Sequence, residues 1–142
     1  MSDMIAEFSR KMREGMLEDV RDKYGDIFFE RWQNPLYMDA MADPDVIALL
    51  KGSCGDSMLM FMKFENGIVQ KTTFKTEGCA TSIVCGSFAA ELSLGKTAAE
   101  LLEITGETIL KQFGGLPSEQ QHCAIHAAAT IHKAANQYIR EA

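Results

Sequence analysis

The sequence predicts an α+β domain: a three-stranded antiparallel sheet packed against several helices, with a helical extension at the N-terminus. Three observations predict it. Apolar residues recur every three or four positions toward both ends of the chain, and the stretch from Val46 to Phe74 switches to strand-like runs. Glu65-Asn66-Gly67 then separates two of those runs with the chemistry of a hairpin turn, because Asn and Gly tolerate the positive φ that a tight turn needs.

From Met4 to Tyr24, the residues Met4, Ile5, Phe8, Met12, Met16, Leu17 and Val20 form an apolar stripe ending at Gly25. A Met-rich stripe reads as core or docking surface rather than as a cofactor box, so this helix is expected to pack on the domain or on a second copy of the protein, as a homodimer. Residues 1–26 are therefore read as an extension, and 27–142 as one domain. A short helix from Ile27 to Trp32 stops before Asn34-Pro35, and a loop is expected around Ala42-Asp43-Pro44. The strands are Val46 to Leu50, Met58 to Phe64 and Ile68 to Phe74. In the second, both alternating sets are apolar (Met58, Met60, Met62 and Leu59, Phe61), which leaves it little exposed face.

Helical patterning resumes after Cys79. Ser82 to Leu94 is closed by Gly95, and Thr97 with Glu100 makes a capping box for Ala98 to Ile104. Thr105 or Gly106 opens a further short helix to Phe113, ended by Gly114-Gly115. Ser118 with Gln121 is read as a second capping box, opening an Ala-rich helix that runs to about Arg140.

Of the 142 residues, 46% are hydrophobic and 24% charged, an ordinary composition for a folded domain. The net charge of −6 gives no electrostatic reason to bind nucleic acid or an anionic membrane, since phosphate contacts need clustered Lys and Arg. The first residues lead into Glu7, Arg10, Lys11, Arg13 and Glu14 with no apolar run of signal-peptide type, so a cytoplasmic location is expected. Four cysteines in a reducing compartment are more often ligands or nucleophiles than disulfides.

Cys54 lies in Lys51-Gly52-Ser53-Cys54-Gly55-Asp56-Ser57, a turn between two strands where Gly52 and Gly55 let the backbone bend and the Asp56 carboxylate is two residues away. Cys79, in Glu77-Gly78-Cys79-Ala80-Thr81-Ser82, enters a helix, where free N–H groups and the helix dipole favour a thiolate. Cys123 follows His122 near the start of the last helix. The separations are unlike a CxxC zinc pattern, so spacing alone does not show that the three converge. Cys85 reads as a buried helix cysteine. His126 falls one turn after His122, but histidines on an Ala-rich helix are expected to face solvent, and His132 receives no role.

Taken in order, Asn34-Pro35, Gly52-Ser53-Cys54-Gly55-Asp56, Phe74-Lys75-Thr76-Glu77-Gly78-Cys79, Gly114-Gly115-Leu116-Pro117 and His122-Cys123 resemble the IscU/NifU-type iron-sulfur cluster assembly scaffolds, over about residues 27–140. The resemblance implies that Cys54, Cys79 and Cys123 bind a transient [2Fe-2S] cluster, with Asp56 beside it and His122 as an alternative ligand. It implies a non-enzymatic scaffold that builds the cluster from iron and desulfurase-derived sulfur and passes it to acceptor apoproteins. Cys123 resembles the residue that accepts persulfide sulfur from a cysteine desulfurase. Thiolates are the soft ligands a cluster requires, and a carboxylate binds it less tightly, which suits cargo that must leave.

Leu116-Pro117-Ser118-Glu119-Gln120 departs from the Leu-Pro-Pro-Val-Lys that an Hsp70-type chaperone reads in the housekeeping form, which speaks against that partner. The chain looks closer to stand-alone NifU-like scaffolds. A related branch transfers sulfur while holding zinc at the same residues and carries an insertion between the second and third cysteines; no such insertion is evident here. Zinc still suits the isolated protein, because it takes the same Cys, His and Asp ligands. Two other classes are a structural zinc domain and a Cys-His nucleophilic enzyme. The latter is disfavoured because Cys123 and His122, adjacent in sequence, are poorly placed to face each other.

Overall fold

The structure is a computed structural model that describes residues 21–52 and 55–141, together with Met4 and Glu7. In chain order it contains helix α1 (Asp26–Gln33), strands β1 (Val46–Lys51), β2 (Ser57–Glu65) and β3 (Ile68–Thr76), helices α2 (Ala80–Ser93), α3 (Ala98–Leu101) and α4 (Gly106–Leu110), a 3₁₀ turn (Ser118–Gln120) and helix α5 (His122–Glu141). This is the expected α+β architecture. Most of the Met4 to Tyr24 stripe lies outside the described residues; residues 21–24 are helical and Gly25, at φ 91°, follows them.

The sheet is antiparallel throughout, in the order β1-β2-β3. Asn66 and Gly67 both take positive φ, 56° and 78°, which is the conformation the hairpin reading requires. Met58, Met60 and Met62 line one face of β2 and are wholly buried, together with Val46, Ala48 and Phe74 from the neighbouring strands. Helices α2 and α5 cover this face, bringing Val84, Phe88 and Ala89 from one and a row of alanines with Ile131 from the other. Alanine is a strong helix former with no side-chain entropy to lose, and its small size brings α5 close to the strands. On the opposite face Phe61 is buried between Ile47 and Thr73, while Ile47 and Leu49 stay about half exposed. The expectation of little exposed surface thus holds for β2, not for its edge neighbour.

Helix α1 docks through aromatic stacking. Phe28 is fully buried, stacks on Tyr24 and meets Phe113 edge-on, and Phe113 in turn stacks on Phe88 of α2. Arg31 lies 3.9 Å over the Phe88 ring and bridges to Ser87 and Glu91.

The helix ends are where expectation and structure part. The Thr97–Glu100 capping box forms in both directions. However, α3 stops at Leu101 rather than Ile104, because Glu103 and Ile104 bond back to Glu100 and Leu101 in tighter turns. Helix α4 stops at Leu110, whose carbonyl accepts from the N–H groups of Phe113 and Gly115 as the chain passes into Gly114-Gly115. The Ser118–Gln121 box does not form. The Gln121 side chain donates to the Leu116 carbonyl instead, residues 118–120 make a 3₁₀ turn, and α5 begins only at His122. Among the described residues no helix is long and apolar enough to cross a membrane.

Candidate functional site

The β1–β2 turn, the β3–α2 junction and the start of α5 meet at one end of the sheet, where Lys51 pairs with Ser57 and Met58 with Thr76. Cys79 is the N-cap of α2, in extended backbone, and its side chain is exposed. Thr81 and Ser82 follow in the first turn and are almost completely buried. The Thr81 hydroxyl lies 2.9 Å from the Cys79 Sγ and 3.1 Å from the Cys123 Sγ, so one group spans both sulfurs. Cys123, the second residue of α5, is itself buried.

Burial works against the Cys79 thiolate, but the hydroxyls and backbone N–H groups of Thr81 and Ser82 favour it and hold the thiol below its ordinary pKa. Cys85 is the opposite case. Burial pushes its thiol far up, and charge on Cys123 or Cys79 would push it further, so it stays a neutral core thiol as its helix position suggests.

Asp56 enters through Ser82. The Ser82 hydroxyl donates to Asp56 Oδ2 at 3.1 Å and stands 3.7 Å from the Cys123 sulfur and 3.9 Å from that of Cys79. The pair fits only because residue 78 is glycine: a Cβ there would lie 2.5 Å from the Ser82 Oγ and 2.9 Å from Asp56 Oδ2. Cys54 and Ser53 lie outside the described residues. On either side of them, the Gly52 N–H donates to the Asp56 carbonyl at 2.6 Å and the Gly55 N–H to the Gly52 carbonyl at 3.1 Å.

His122 opens α5 and faces its neighbour. Its Nδ1–H donates to the Glu119 carbonyl at 3.1 Å, which leaves the Nε2 lone pair 3.7 Å from the Cys123 sulfur. Residues 122 and 123, expected to be poorly placed to face each other as thiol and base, are in contact, because the bond to the Glu119 carbonyl turns the His122 ring toward the Cys123 sulfur. His126 is also corrected: it is buried rather than solvent-facing, and its Nε2–H donates to the Leu50 carbonyl at 2.8 Å. His132 donates to the Ile104 carbonyl.

Four of the five residues singled out from the sequence, Asp56, Cys79, His122 and Cys123, thus share one hydrogen-bonded cluster with Thr81 and Ser82. Among the described residues no three of the Cys, His, Asp and Glu side chains already stand as a metal-holding set; hydroxyls occupy the space between the sulfurs. Two thiols, a carboxylate and an imidazole nonetheless make a donor set of the softness that iron-sulfide or zinc requires. Thr81 and Ser82 were missed in the sequence, although Cys-Ala-Thr-Ser at a helix start was the available signal.

The family model described as the NifU-like N terminal domain matches residues 23–142. The chain belongs to the NifU-like N-terminal domain family. Among curated members, an iron-sulfur cluster assembly scaffold protein IscU of Archaeoglobus fulgidus is 34% identical over 119 residues, spanning 83% of this chain and 78% of its own. The IscU scaffold protein of Azotobacter vinelandii is 32% identical over 120 residues, covering 81% and 93%. The crystal structure of a NifU-like protein (N-terminal) from Brucella abortus shares the fold, with a TM-score of 0.69 at 20% identity over 87% of this chain and 99% of that one.

Proposed function

We propose that this NifU-like chain is a scaffold on which an iron-sulfur cluster is assembled and from which it is released to acceptor proteins. The observation that carries the reading is the single Thr81 hydroxyl spanning the Cys79 and Cys123 sulfurs, with Asp56 tied to the same point through Ser82. Family membership and the scaffold role named for its relatives support it. Cys54, Cys79 and Cys123 are proposed as the thiolate ligands of a [2Fe-2S] cluster, Asp56 as the exchangeable group and His122 as an alternative ligand. The cluster is cargo rather than a resident cofactor, and zinc fits the same donors in the isolated protein. A cysteine desulfurase and apo-iron-sulfur acceptors are the implied partners, in a reducing compartment with the cytoplasm as the expected location.

Sulfur would enter at Cys123. Its thiolate attacks the outer sulfur of a desulfurase persulfide, the donor S–S bond breaks, the donor cysteine leaves as a thiolate and Cys123 becomes the persulfide. The Nε2 lone pair of His122, 3.7 Å from the sulfur, is placed to take the thiol proton first. The test is anaerobic reconstitution with iron, cysteine and a desulfurase. The parent should turn red-brown, and Cys54→Ser, Cys79→Ser and Cys123→Ser should each lose most of the bound iron and sulfide. Full loading of Cys54→Ser or Cys79→Ser would overturn the ligand assignment.

A further inference from the structure

We propose that His126 is a positioning residue that fixes the turn carrying Asp56. Only 8% of its surface is exposed, and it stands one helical turn beyond His122, beneath the end of β1. Two contacts connect it to the turn. Its Nε2–H donates to the Leu50 carbonyl at 2.8 Å, and the face of its ring lies against Gly52. A Cβ on residue 52 would come within 2.9 Å of Nδ1 and 3.1 Å of Cε1, so the imidazole fits there only because residue 52 is glycine. Gly52 in turn donates its N–H to the Asp56 carbonyl at 2.6 Å, and the Asp56 carboxylate accepts from Ser82 beside the two thiols. An unbroken series of contacts therefore runs from α5 through Gly52 to Asp56.

An apolar side chain of similar size would fill the same space. It would take the His126 donor from the Leu50 carbonyl and would have no directional bond to hold the turn. Supports of this kind around a metal site act by holding the direct ligands in place, and their loss typically weakens metal binding by about 10–100-fold. The inference rests on the reading of Cys79, Cys123 and Asp56 as metal-holding groups.

The experiment is an anaerobic Co²⁺ titration of the full chain, followed by thiolate-to-cobalt charge-transfer absorption, with a melting curve for every variant. His126→Leu should weaken Co²⁺ binding about tenfold or more, whereas His126→Gln, which keeps an N–H donor at comparable reach, should stay near the parent. Gly52→Ala should also weaken binding, and Gly52→Ala combined with His126→Ala should recover part of the loss by making room for the methyl group. Parent-like binding by His126→Leu, or a double variant no better than Gly52→Ala, would overturn the proposal. Should His126→Leu fail to fold, the Gln variant and the residue 52 pair decide it. Cys79→Ser separates the two levels: parent-like Co²⁺ binding there would overturn the site reading and this inference with it. Loss of binding there with none in His126→Leu would overturn the inference alone.

Discussion

A hydroxyl carries one proton and two lone pairs, so Thr81 can donate to one of the two sulfurs beside it at a time and can accept from the other. It suits a pair in which one sulfur has lost its proton and its neighbour has not. Cys79 is the exposed member, and its thiol lies below its ordinary pKa. Replacing Thr81 by Val removes the favourable contact and leaves the desolvation cost, so the pH midpoint for iodoacetamide alkylation of Cys79 should rise. Thr81→Ser should keep it near the parent's, and a Val variant with an unchanged midpoint would remove the hydroxyl from the account. Cys85→Ala should behave differently, lowering the melting temperature through a small core cavity while cluster loading stays at the parent level. Asp56, Cys79, His122 and Cys123 were singled out through short motifs that resemble one family, and the structure gathers these four; Cys54 lies outside the described residues. Thr81 and Ser82 were not, since hydroxyl residues at a helix start are ordinary caps until a partner arrives from 42 and 41 residues away.

At the scale of elements, strands were easier to read than helix ends. Period-two patterning and Asn66-Gly67 locate the hairpin within a residue or two, because the alternation is imposed by the pleat itself. The start of α5 was not legible, since Gln121 has two possible partners and tertiary structure selects the Leu116 carbonyl over the Ser118 backbone. His126 was misjudged for a related reason: α5 has a clear apolar side, but a histidine on that side is settled by the Leu50 carbonyl, a partner 76 residues away that helix periodicity does not reveal. Helix α1 rests on one residue above all. Phe28→Ala should cost about 3–5 kcal/mol in urea unfolding, because the ring is wholly buried between Tyr24 and Phe113. A loss under about 1 kcal/mol, the scale of one ordinary hydrogen bond, would mean that α1 is held by Arg31 instead.

For the whole molecule, the consequence of the proposed site is that it must release what it builds. Asp56 is the weakest of the proposed donors and is half-buried, so an incoming acceptor thiolate can replace it more readily than any cysteine. Asp56→Ala should therefore retain a preformed cluster longer and deliver it to an apo-ferredoxin more slowly, measured anaerobically at matched loading. Transfer as fast as the parent's would reduce Asp56 to a turn residue. The architecture of the site was legible only in part, because convergence of distant segments is a property of the packed sheet and helices rather than of spacing.

That convergence also sets an order of events during synthesis. The cluster of side chains draws on Asp56, on Cys79, Thr81 and Ser82, and on His122 and Cys123, and Thr81 finds the Cys123 sulfur 42 positions downstream. A chain emerging from the ribosome can close the hairpin early, since Glu65 and Ile68 are nearly adjacent, but α5 must be made before it can pack on β1. Until then Cys79 faces solvent with its partner sulfur absent. On the proposed reading, an incomplete chain would lack the Cys123 thiolate, and full metal capture would be deferred until the last helix has been made and has docked.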